Sequence, residues 1–223
     1  MPMNPCKCDA QYCFDALSDS QRAELFGSIT IVRYTKGETI VKQGFAMSSI
    51  LFLEKGLVKL DVATDNQNTT ISIVSAKAFV GLMCSFVERQ VDFSVVALVD
   101  SEVSLIDKHV VDGLIRSNGE FASRMVHLMS LMTKEMVGEL TRKNTKNSLG
   151  AIALTLLEFM KHFGSAKYAL PLTRLELAEV VGFSKESVNL SMAWLAKDGL
   201  IVLSGKQVEI VDEERLRIIA LNG

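Results

Sequence analysis

The chain has little that points to catalysis or to membranes. Its 223 residues contain no Gly-rich phosphate loop, no Gly-x-Ser-x-Gly elbow, no His-Glu-x-x-His and no carboxylate pair suited to acid–base work. The common motif-borne enzyme classes are thereby excluded, and a non-enzyme is expected. No apolar run approaches the ~20 residues needed to span a bilayer. The first residues also lack the basic start and apolar stretch of an export signal. A cytoplasmic protein without a membrane partner is therefore expected, one whose thiols stay reduced rather than forming a disulfide framework. Charge of one sign is scarce too: 24 Lys and Arg against 26 Asp and Glu leave a formal net charge of −2. Any nucleic-acid contact must be local and built from a short basic surface. No internal repeat or low-complexity tract is present.

What is present is ordinary globular material, 48% hydrophobic and 22% charged, in a chain long enough for two compact units. From about Ile29 to Ile106, short runs rich in β-branched residues alternate with turn residues: "ITIVRY", "ETIVKQG", "SILFLEKGLVKLDVA", "TTISIV", "FSVVALV" and "EVSLID". Their spacing predicts an all-β sandwich or barrel. Gly37, Gly44 and Gly56 punctuate the strands, and "TDNQN" reads as a hairpin tip.

The period then changes. Between Gly119 and Lys143, Phe121, Met125, Leu128, Met132, Met136 and Leu140 recur at steps of three and four, the stripe of one long helix. Val126, Met129 and Leu131 widen it. Such a helix is expected to pack on the β-domain with one side and on a second copy of itself with the other. A purely intramolecular helix stands as the alternative.

After a further helical run, "LGAIALTLLEFMKHFG", the segment from Thr173 to Leu200 reads helix, turn, helix. Leu175, Leu177, Ala178 and Val181 are read as the apolar side of the first helix. Gly182 permits the turn, and Ser184 is placed to cap the second helix. Val188, Met192 and Leu195 supply its buried side. Lys185, Glu186, Ser187 and Asn189 then lie at the end that enters a major groove in helix-turn-helix proteins. Glutamate accepts from cytosine N4, asparagine pairs with adenine, and lysine reaches guanine or phosphate. The hairpin "LSGKQVEIV" offers Lys206 as a wing on the phosphates. A helical hairpin with ordinary solvated polar residues would use the same residue types.

The order of β-roll, long helix and winged helix-turn-helix resembles the cAMP receptor protein/fumarate-nitrate regulator (CRP/FNR) family of bacterial transcription factors over nearly the whole chain. The stretches that carry the resemblance are "KGETIVKQG", "ILFLEKGLVKL", "FVG" and "LTRLELAEVVGFSKESVNLSMAWLAKDGLI". It implies an α+β chain with a cyclic-nucleotide-binding-like jelly roll. The expected limits are a sensor domain over 1–117, a dimerisation helix over 118–145 and a winged helix-turn-helix over 146–223. It implies a homodimer on palindromic double-stranded DNA with half-sites about one helical turn apart, and RNA polymerase as a partner. By this likeness Glu186 reads bases and Thr173 touches phosphate. Leu190 stands where the family often has a guanine-reading arginine.

Family members that bind cyclic AMP use Gly-Glu-Leu to hold the ribose and an Arg-Ser pair on the cyclic phosphate. Here the corresponding stretches read Gly81-Leu82-Met83 and Val91-Asp92-Phe93-Ser94, which argues against cyclic AMP. The leader "CKCDAQYCFDAL" instead resembles the oxygen-sensing branch, whose N-terminal cysteines hold a [4Fe–4S] cluster. That likeness assigns Cys6, Cys8 and Cys13 as ligands. The family's fourth cysteine position is held by Ser104, which leaves Cys84 as the fourth thiolate. A thiol redox switch, zinc on the same thiolates, haem, or an unknown small molecule in the roll stand beside it as alternatives.

Overall fold

The computed structural model describes residues 10–64, 68–87 and 90–223; of residues 10, 11, 139, 140 and 142–145 only the backbone is described. Cys6, Cys8 and most of the "TDNQN" tip lie outside the described residues, as does the side chain of Leu140. The chain divides into two compact units, one running to Val137 and the other from Gly138 to Gly223.

In the N-terminal unit, β1 (Ile29–Tyr34), β8 (Ser101–Asp107), β3 (Ser49–Lys55) and β6 (Ala78–Val80) form one antiparallel sheet in that order. The other runs β2 (Thr39–Val41), β7 (Ser94–Ala97), β4 (Leu57–Ala63) and β5 (Asn68–Ser75). Strand alternation sorts the side chains into two cores. Leu51 and Leu53 of β3 join Val58, Leu60, Phe93, Val95 and Val103 in one. Ile50 enters the second core and Phe52 packs against it, where they meet side chains from the helices.

Those helices are α1 (Ala10–Phe14), α2 (Asp19–Gly27), α3 (Lys108–Ser117) and α4 (Gly119–Thr145). Ser18 starts α2 through a capping box with Gln21, and Asp107 caps α3 by accepting from the His109 amide. Cys13, Leu17, Leu25, Ile106, Leu114, Phe121, Met125 and Leu128 close the second core. Each large apolar side chain buried there stabilises the unit by about 1.5–3 kcal/mol before chain entropy is counted.

The long helix runs as the sequence predicts, but its apolar stripe serves two ends. Phe121, Met125 and Leu128, expected at a seam between two copies, are buried inside the protomer, with Met132 packed against the same core. A second apolar face lies about 120° around the helix, given ~100° per residue. It carries Val126 and Val137, 64% and 57% exposed, and Met136, 40% exposed, lies between that face and the buried one.

The C-terminal unit contains α5 (Ser148–Phe163), β9 (Lys167–Ala169), α6 (Arg174–Val181), α7 (Lys185–Lys197), β10 (Ile201–Ser204), β11 (Gln207–Ile210) and α8 (Glu213–Asn222). Asn147 caps α5, and Gly164 ends it in a left-handed turn. Ile152, Leu156, Leu177, Val188, Met192, Leu195, Leu200 and Leu216 are buried at its centre. Tyr168 reaches in from β9, and its hydroxyl donates to the Leu156 carbonyl at 2.6 Å. Among the described residues, no helix is long and apolar enough to cross a membrane.

Candidate functional site

Helix α6 begins at Thr173, whose hydroxyl accepts from the Glu176 amide while the Glu176 carboxylate reaches back to the Thr173 amide. Gly182 ends the helix at φ +76°, a left-handed conformation that glycine adopts without strain. Two residues later Ser184 caps α7 by accepting from the Ser187 amide, and the two hydroxyls lie 3.1 Å apart. Thr173 thus fixes the start of α6, and Ser184 with Ser187 the start of α7. Leu175 corrects the sequence reading: it is exposed, and Val180 takes the buried place beside Leu177, Ala178 and Val181.

On α7, Val188, Ser191, Met192 and Leu195 face inward. Glu186, Asn189, Leu190, Ala193 and Lys197 recur at helical spacing on the outward face, and Lys185 is exposed in the first turn. Leu190 is 72% exposed and Trp194, the only tryptophan of the chain, is 46% exposed. The β10–β11 hairpin turns at Gly205–Lys206, with Lys206 exposed at the tip. Arg174, which the sequence reading passed over, lies beside Thr173 with its Nη1 buried; burial lowers its pKa. Its place directly after the helix cap is the signal that could have drawn attention to it.

In the N-terminal unit, β6 runs into Gly81 and then a single 3-10 turn, Leu82–Cys84. Gly81 has φ +65°, and a Cβ there would lie 2.2 Å from the tip of the Phe93 ring. Phe93 is only 3% exposed and packs in the roll core with Val91 and Val95. Leu82 is buried, Asp92 is exposed, and the Ser94 hydroxyl accepts from the Gln43 amide. Phe93, read from the sequence as standing where cyclic-AMP binders carry a cation, is thus a buried core residue.

Both the leader and this turn rest on α4. Arg124 donates to the Tyr12 carbonyl at 2.6 Å, and its guanidinium lies 4.6 Å from the centre of the Tyr12 ring. His127 meets the same ring edge-on. The Thr133 hydroxyl lies 3.0 Å from Met83 Sδ in the turn. Cys13, on α1, is fully buried, and burial pushes its thiol up to about 11 against the opposing pull of Arg124. Cys84 is exposed. Ser104 is buried on β8 and donates to Glu54 at 2.8 Å. Among the described residues no three His, Cys, Asp or Glu side chains gather as a metal group.

Residues 31–118 match the cyclic nucleotide-binding domain family, and residues 150–219 match the Crp-like helix-turn-helix domain. The chain belongs to the CRP/FNR family. It is a DNA-binding transcription regulator of that type and not an enzyme. It is 24% identical over 209 residues to a CRP-like cAMP-activated global transcriptional regulator of Mycobacterium tuberculosis, covering 91% of this chain and 93% of that one. It is also 24% identical over 194 residues to the fumarate and nitrate reduction regulatory protein of Salmonella typhi, covering 83% and 76%. A CRP/FNR-family regulator from Eubacterium rectale shares the fold, with a TM-score of 0.81 at 17% identity and coverage of 94% and 97%.

Identity therefore does not choose between the branches of the CRP/FNR family, and the chemistry of the sensor side chains has to. In this CRP/FNR chain Gly81 keeps its left-handed turn, and Leu82 and Phe93 are both buried.

Proposed function

We propose that this regulator responds to oxygen, redox state or nitric oxide through a [4Fe–4S] cluster bound by Cys6, Cys8, Cys13 and Cys84. The donor chemistry fits: all four residues supply the soft thiolate that iron–sulfur clusters take. These four thiolates would hold the group, which when bound would supply oxygen-sensitive iron–sulfide chemistry between the leader and the turn carrying Cys84.

The observation that carries this reading is the docking of both elements on one helix. Tyr12 and Cys13 stand on a leader held by Arg124 and His127, and Met83 and Cys84 stand on a turn that meets Thr133. A change in the tie between leader and turn would shift which position of α4 is favoured, an equilibrium biased by a local ligand. The exposed face of α4, with Val126, Thr133, Met136 and Val137 at helical spacing, forms the seam of the homodimer. Phe121, Met125, Leu128 and Met132 anchor that helix to its own roll.

At the other end α7 enters the major groove. Lys185, Glu186 and Asn189 meet base edges, Thr173, Ser184 and Ser187 fix the helices with their hydroxyls at the phosphates, and Lys206 reaches the backbone from the wing. A two-fold dimer then fits a palindromic duplex and presents itself to RNA polymerase.

Anaerobic purification tests the sensor. Broad sulfur-to-iron absorption with about four iron and four sulfide per chain is expected, lost in each single Cys→Ser variant. Protein without iron or sulfide after anaerobic reconstitution would refute it.

A further inference from the structure

We propose that Leu190 reads the methyl group of a thymine, giving each half-site a T·A pair opposite the middle of α7. The inference rests on the assignment of α7 as the helix that enters the groove and extends it to the sequence that is read.

Leu190 stands at the centre of the outward face, one turn after Glu186 and beside Asn189. It is 72% exposed, so it contributes little to the unit's core. The outward face carries no arginine: its cations are Lys185 in the first turn and Lys197 in the last. Nothing in the middle of the helix can make the forked contact that selects guanine. The one apolar feature on the major-groove edge of a base pair is the thymine C5 methyl. An isobutyl group facing that edge gains by covering the methyl and loses by facing the amino and carbonyl groups of a G·C pair. Glu186, one helical turn away, accepts from a cytosine N4. A turn rises ~5.4 Å and a base step ~3.4 Å, so the cytosine and the thymine fall within about two base pairs of each other.

The test uses anaerobically prepared full-length dimer to select duplexes from a random pool. Each thymine of the selected half-site is then replaced by uracil, which removes only the methyl. One position per half-site is expected to lose about fourfold in affinity, the worth of one buried methyl. Leu190→Ala should be insensitive to uracil there, and Leu190→Arg should shift the preference at that position to guanine. Leu190 is exposed, so both variants are expected to fold. Uracil without effect at every position, or an equal effect in Leu190→Ala, would overturn the thymine contact while leaving the groove assignment intact. Failure to select any duplex would overturn the groove assignment itself.

Discussion

Arg124 on the long helix donates to the backbone carbonyl of Tyr12 and covers its ring, so one side chain makes two contacts between the cysteine-bearing leader and α4. Glu120, one turn earlier, holds the guanidinium in place at 2.8 Å. Arg124→Ala releases both contacts. Alkylation of Cys13 under native conditions should become severalfold faster than in the unmodified chain, because the Cys13 thiol on this leader is fully buried while the leader is docked. Unchanged labelling would mean that Arg124 does not hold it down.

Gly81 and Phe93 are fitted to each other. Gly81→Ala places a methyl in the ring and forces a non-glycine residue to positive φ. The left-handed conformation costs about 1–2 kcal/mol and the overpacking about 1–3 kcal/mol, giving a loss of about 2–5 kcal/mol in urea unfolding. Phe93→Leu shortens the clashing side chain, so the double variant should be more stable than the sum of the two single losses predicts. Simple additivity would contradict this packing.

Glu186→Ala should relax discrimination at one base pair of the operator, lowering affinity for the preferred sequence by about 1–3 kcal/mol. Random-sequence DNA should be bound at least as tightly as before, since removing an acidic side chain takes away a repulsion from the phosphates. Equal losses on specific and random duplexes would refute base reading by Glu186.

His162 on α5 is half-buried with its ring edge-on to Phe163, and desolvation lowers its pKa from 6.5. The unfolded chain then binds a proton more readily than the fold does. The stability this neutral ring contributes is complete above about pH 6.5 and is lost as pH falls through the folded value. Thermal melts of the C-terminal unit, followed by Trp194 fluorescence, should show that acid slope in the native chain. His162→Phe should flatten it.

Much of this fold is legible because period and punctuation agree. The runs of β-branched residues become strands, and the Thr173–Gly182–Ser184 spacing becomes cap, turn and cap. Several elements escaped, among them β6, β9, α3 and α8. β6 and β9 are three residues each, too short for alternation to register, and α3 carries Val110, Val111, Leu114 and Ile115 at helical spacing over only ten residues. Leu175 could have been placed correctly, since it lies opposite Leu177, Val180 and Val181 on a helical wheel. The allocation of α4 could not. Phe121 and Val126 are both apolar, and only the three-dimensional arrangement decides which one meets the roll and which one faces outward. The same holds for Phe93, whose close approach to Gly81 only the fold shows.

In the proposed mechanism the cysteine leader governs DNA binding through α4. The most direct test is the affinity of the dimer for its selected palindrome, measured anaerobically and again after brief exposure to air. Trp194, on the reading helix, supplies the fluorescence signal. Tight binding without oxygen that weakens in air is predicted, with no such difference in Cys13→Ser. Equal affinity under both atmospheres in the native protein would contradict the account.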